Sequence, residues 1–284
     1  LRALRPLLEG VAIALLRRAV SGAPPGSPTR ARAAAWLGGV LADQGQAGLD
    51  EARAVLDAAI GDARACGNRA IEAYACAWLG SVHRDQGRPE LAREIQEGAL
   101  AATGEAGPLR LRAWLESELG VLDTWQKRPG VDARMARALE LLRAAGDRVM
   151  QGRVHGKLAS SLNMRGDTEQ ARQHAELAVQ IGAAFGDRVG EGIGHEVLGL
   201  VASRLDDPIT FEACARRALT LRVASGDQLG EAVMRLHIGL ALRRQGRAEP
   251  AKAEFERGLV VAQRVGLTRI ATVLQDELAR VGAP

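Results

Sequence analysis

Residues 226–266 read GDQLGEAVMRLHIGLALRRQGRAEPAKAEFERGLVVAQRVG, and most of the chain is built from copies of this unit. It opens on Gly226-Asp227 and runs apolar residues at helical spacing through Ile238-Gly239. After a turn at Gln245-Gly246, a second helical pattern passes through Ala251, Phe255 and Gly258 and stops at Gly266. Self-similarity at a fixed period marks a stacked array, whose units bury their apolar faces against their neighbours. A Leu-Gly-like pair recurs at Leu37-Gly38, Leu79-Gly80, Leu119-Gly120, Leu158-Ala159, Leu198-Gly199 and Ile238-Gly239, so the period is near 40.

Each copy has the same grammar of first helix, turn, second helix and terminating Gly. Gly67-Asn68, Gly146-Asp147, Gly186-Asp187 and Gly226-Asp227 close the units. A Gly there suits a left-handed cap, and the Asn or Asp after it can accept from free N–H groups of the next helix. The turn inside the unit carries Gly45, Gly87, Gly166 and Gly246. The third copy has Arg128-Pro129-Gly130 at this point, and the fifth has Asp206-Asp207-Pro208.

Small or bulky apolar residues follow each pair at fixed offsets, as at Ala251, Phe255 and Gly258 after Gly239, and at Ala171, Ala175 and Ala178 after Ala159. Small residues at these places let paired helices approach closely. With the Leu-Gly pair they resemble the tetratricopeptide repeat over residues 29–266, although the period is longer than the usual 34. The long variant is similar to the C-terminal sensor array of the STAND-class ATPase and transcriptional regulators of actinobacteria. The resemblance implies an all-α, right-handed α-solenoid of helix-turn-helix repeats. It also implies a non-catalytic sensor scaffold in signalling or transcriptional regulation, carried behind an ATPase module. The expected layout is one solenoid domain over 1–284: a partial leading repeat and loop at 1–28, six repeats over 29–267, and a closing helix at 268–284. Residues 1–20 read as a second helix without its first, so the chain is expected to belong to a larger protein.

Composition narrows the function classes. The net charge of +4 is carried by 35 Arg and 3 Lys, with 34 acidic residues spread through the same helices. With no basic cluster or recognition motif, nucleic acid is not an expected partner. Three cysteines without a Cys-x-x-Cys pair suit a reducing, cytoplasmic setting. No apolar run is long enough to span a membrane.

Catalytic motifs fail on inspection. Gly152 to Lys157 resembles a phosphate loop but is one residue short, lacks the Ser or Thr for magnesium, and lies within a helical pattern. Gly190, Gly192 and Gly194 have no strand before them, as a dinucleotide site requires, and read better as helix crowding. His155 and His195, 40 residues apart, are expected to face each other on neighbouring first helices, but with too few further ligands for zinc. No nucleophile stands beside a base and an orienting acid. The chain is read as a non-enzyme with no cofactor or metal.

The informative residues are aromatic. On the tetratricopeptide register, the groove positions of the first helices hold Trp36, Tyr74, Trp78, Trp114 and Trp125, which are all the Trp and Tyr of the chain. They are expected to form one continuous surface, bordered by Arg32 and Arg84, which would engage a carboxylate or phosphate. Trp and Tyr anchor binding surfaces, but large rings also plug seams between helices, and both readings stay open here. The later repeats place Arg153, Lys157, Asn163, Arg204, Arg243 and Arg244 on the same register, giving a basic end. The expected ligand is a protein or peptide, or a small-molecule effector, and self-association is compatible with the fold. The alternative function is a free-standing adaptor holding an extended peptide or helix in the concave groove.

Overall fold

The computed structural model describes residues 5–42 and 48–282, with side chains for 10–42 and 48–281. Among them are fourteen α-helices and no strand. They fall into two compact units, 1–146 and 147–284. The first unit holds α1 (Arg5–Gly22), α2 (Pro28–Ala42), α3 (Leu49–Ala65), α4 (Arg69–Asp85), α5 (Pro89–Thr103), α6 (Leu109–Trp125) and α7 (Val131–Ala144). The second holds α8 (Arg148–Arg165), α9 (Thr168–Phe185), α10 (Arg188–Arg204), α11 (Pro208–Ser225), α12 (Gln228–Arg244), α13 (Ala248–Arg264) and α14 (Thr268–Gly282). Within each unit every helix packs on the next. First helices also touch first helices, α2 on α4 and α4 on α6 in one unit, α8 on α10 and α12 on α14 in the other. The all-α array of successively packed helices is the expected fold class.

The helix ends follow from the marks between units. Gly67, Gly146, Gly186 and Gly226 all take positive φ, between 66° and 70°. Immediately after them Asn68 accepts from the Ile71 N–H at 3.1 Å, Asp147 from Met150 at 3.0 Å, Asp187 from Gly190 at 3.2 Å and Asp227 from Gly230 at 2.8 Å. Each bond satisfies one of the free donors of a helix start. Inside the units Gly87, Gly166 and Gly246 turn the chain at φ 75°, 90° and 73°. Gly45, read as the equivalent turn, lies outside the described residues.

In four of the six helix pairs the glycine of the Leu-Gly mark lies at a close approach to the second helix. A Cβ on Gly38 would collide with Leu56, on Gly80 with Gln96, on Gly120 with Met135 at 2.9 Å, and on Gly239 with the ring of Phe255. The pair therefore reports inter-helix distance, with the second helix supplying a knob that lies directly over the glycine. Crowding also accounts for two of the glycines that mimic nucleotide motifs. Gly152 lies under Ile181 and Gly194 under Val179 and the Ala175 carbonyl, both inside helices. No described helix is long and apolar enough to cross a membrane.

Candidate functional site

In the first unit the aromatic residues separate into two kinds. Tyr74 and Trp78 on α4 meet Trp114 on α6, with ring centroids at 5.6 and 5.0 Å and the two indoles edge to face. All three are half-buried and pack against the cores under α2–α4 and α4–α6. Trp78 lies over Gly39 of α2, where a Cβ would meet its ring at 2.8 Å. The absence of a side chain at Gly39 is what admits the indole. Trp36 and Trp125 are different: they stand 58% and 50% exposed on α2 and α6.

The two arginines expected to border the surface also part company. Arg84 is committed internally, its guanidinium bonded to the Glu118 carboxylate and to Asp85 at 2.9 Å, and it lies 5.8 Å over the Trp125 ring. Burial opposes its charge, but Glu118 and Asp85 outweigh that and raise its pKa. The expectation that Arg84 is open to a ligand carboxylate is therefore corrected, because α6 supplies that carboxylate. Arg32 stays exposed beside Trp36, with no hydrogen bond or ion pair to any described residue.

Sequence reading missed the carboxylates of α6. Glu118 and Asp123 are 5% and 3% exposed, and each is met by arginine. Asp123 receives Arg93 of α5 at 2.6 Å and Arg134 of α7 at 2.9 Å, and Arg134 reaches on to Glu116 at 3.0 Å. Buried charge is tolerated only when paired in this way, so the network fixes how α5 and α7 sit on α6. The available signal was Glu116, Glu118 and Asp123 standing among the leucines of α6.

In the second unit the basic residues are largely spent on their neighbours. Arg153 grips Asp187 with two bonds of 2.8 and 2.9 Å, tying α8 to the cap of α10. Asn163 is buried and accepts from the Arg204 Nε at 3.0 Å. Lys157 is half-buried on α8. Arg243 pairs with Glu277 at 2.6 Å, and Arg244 donates to the Ser203 carbonyl at 2.9 Å and to its hydroxyl at 2.8 Å. The expected meeting of His155 with His195 does not occur. His155 instead stacks on His174 of α9, Nδ1 to Nδ1 at 3.0 Å, because the rotation of α8 turns it toward its paired helix. His195 lies near Glu191, and burial lowers its pKa. Among the described residues no three potential ligands cluster as a metal site.

No protein-family model matches the chain, and no curated sequence does. Solved structures do match. A Signal Transduction ATPase with Numerous Domains (STAND) protein with a tetratricopeptide repeat sensor, PH0952 from Pyrococcus horikoshii, aligns with TM-score 0.61 at 12% identity, over 96% of this chain and 43% of its own. A Rap protein complexed with competence and sporulation factor aligns with TM-score 0.66 at 11% identity, over 98% and 86%. BtubC (BKLC) from P. vanneervenii aligns with TM-score 0.61 at 16% identity, over 77% and 92%. At such identities the likeness is one of fold, the tetratricopeptide type of helix-pair array. The chain spans less than half the length of the STAND protein.

Proposed function

We propose that this chain is a non-catalytic binding scaffold whose first-helix face in residues 1–146 receives a protein or peptide partner. The observation that carries the reading is the pair of exposed indoles, Trp36 and Trp125, on first helices of a chain with 3% aromatic residues. A half-exposed Trp contributes little to the fold, yet it offers rigid apolar area whose ordering on binding costs little entropy. Between them the packed Tyr74, Trp78 and Trp114 give the face a firm base.

The likeness to the STAND sensor supports a place as the repeat region of a larger signalling ATPase or transcriptional regulator. A free-standing adaptor holding an extended peptide or helix is the second reading, supported by the likeness in fold to a Rap protein complexed with competence and sporulation factor. Free thiols at Cys66, Cys76 and Cys214 suit a reducing cytoplasm, and burial pushes the Cys76 thiol up to about 11, where it stays protonated and inert.

Affinity capture tests the reading with wild-type, Trp125→Ala and Phe185→Ala baits, Phe185 being an exposed aromatic of the other unit. One stoichiometric protein is expected, with Trp125→Ala weakening it by roughly 30-fold and Phe185→Ala leaving it in place. Equal recovery by all three baits contradicts the placement on this face. A small molecule that raises the melting temperature, with no protein recovered, shifts the ligand to an effector.

A further inference from the structure

We propose that the cleft between α1 and α2 is the anchor subsite of this face, and that it takes a peptide segment presenting an aromatic or branched apolar side chain next to a carboxylate. The proposal rests on the reading above, that the first-helix face of residues 1–146 binds a protein partner.

The cleft is a shallow depression, largely open to solvent, with a volume of ≈ 380 Å³, and is lined by Leu16 of α1 with Pro28, Thr29, Arg32, Ala33 and Trp36 of α2. That is near the small end of ligand pockets, which run about 300–1,000 Å³, so it suits one large side chain better than an extended cofactor. Its walls are mostly carbon. Trp36 stands exposed along one side, and covering an indole and an incoming apolar group together is worth roughly 25 cal/mol for each Å² removed from water.

Charge decides what accompanies that side chain. Several charged groups at this end of α1 and α2 already have partners: Arg17 with Glu51 at 2.6 Å, Arg30 with Asp62 at 3.2 Å, and Asp62 also with the Gly26 N–H at 2.7 Å. Arg32 has none among the described residues, and it stands one helical turn before Trp36 on the same face. The open valence at the cleft is thus a guanidinium beside an indole. A carboxylate accepts two parallel N–H donors from it while the neighbouring side chain covers the ring.

Continuity with the rest of the face points to a peptide. Gly39, about one turn beyond Trp36, is the residue over which Trp78 lies, and Trp78 leads directly to Trp114. A chain anchored in the cleft and following α2 for about one more turn reaches the aromatic base. An isolated small carboxylate gains nothing from that continuity.

The whole chain labelled with 5-fluorotryptophan gives four fluorine resonances, one for each Trp, assigned through single Trp→Phe variants. The probes are Ac-Phe-Glu-NH2, its neutral counterpart Ac-Phe-Gln-NH2, phenylacetate, and the pentapeptide Ac-Phe-Glu-Ala-Leu-Glu-NH2. Ac-Phe-Glu-NH2 is expected to shift the Trp36 resonance saturably and about tenfold more tightly than the neutral peptide, and Arg32→Gln is expected to erase that difference. Arg32 is exposed and has no partner among the described residues, so the variant keeps the fold. Equal affinity for the two dipeptides, or a preference that survives Arg32→Gln, overturns the proposal. Phenylacetate binding as tightly as Ac-Phe-Glu-NH2 overturns the peptide as occupant. If the pentapeptide moves Trp114 or Trp125 and leaves Trp36 still, the cleft assignment fails and the face survives. If none of the four resonances responds, both fail.

Discussion

Lys127 holds φ at 52°, and Asp206 at 58°, in a chain whose other described left-handed residues are all glycine. Both stand seven residues after the glycine of their Leu-Gly pair, where Gly87, Gly166 and Gly246 turn the other repeats. A side chain in this conformation costs about 1–2 kcal/mol, and a glycine there gives part of that back to the greater freedom of the unfolded chain. Lys127→Gly is therefore expected to stabilise by roughly 0.5–1 kcal/mol, read as a rise in the denaturant midpoint. A midpoint that falls contradicts the strain. Asp206 gains less, because its short polar side chain tolerates the left-handed region better. The departures at these two turns were legible as missing glycines, whereas the shared backbone angle was not, because other turn geometries accept Pro or Asp equally well.

At the scale of helix pairs, glycines with the same name have opposite roles. Gly239 lies beneath the fully buried ring of Phe255, while Gly98, within α5, has nothing within 4 Å of an added Cβ. Alanine in place of a helical glycine gains up to about 1 kcal/mol of propensity. At Gly98 that gain stands alone, and Gly98→Ala is expected to stabilise by roughly 0.5–1 kcal/mol. At Gly239 the overpacking penalty of ~1–3 kcal/mol exceeds it, and Gly239→Ala is expected to be destabilising overall. Thermal or denaturant unfolding of both variants checks the contrast, and a stabilised Gly239→Ala contradicts the close crossing. The Leu-Gly marks and the Gly-Asp caps were readable because each depends on residues near in sequence or at a fixed offset. The partners of Arg84, Arg93, Arg134 and His155 were not. Each is set by the rotation of one helix against another, which a change of a few tens of degrees redirects to a different residue, as when His155 meets His174 rather than His195.

At the scale of the whole molecule, the aromatic residues divide between holding the array together and facing outward. Sequence register placed all five on first helices, and it could not separate seam from surface because a groove position and a seam position differ by a small turn of the helix. Trp78 of α4 is held between α2 and α6, and among the described residues its buried indole N–H has no acceptor, so its contribution is packing. Trp36 and Trp125 leave half or more of their surface to solvent. The most direct measurement is the denaturant midpoint of Trp78→Ala set against Trp36→Ala and Trp125→Ala. The cavity left at Trp78 is expected to cost ~3 kcal/mol, and the two surface variants to stay within ~0.5 kcal/mol of wild type. Loss of stability in Trp36→Ala or Trp125→Ala as large as in Trp78→Ala would make those indoles part of the core and contradict a binding face built on them.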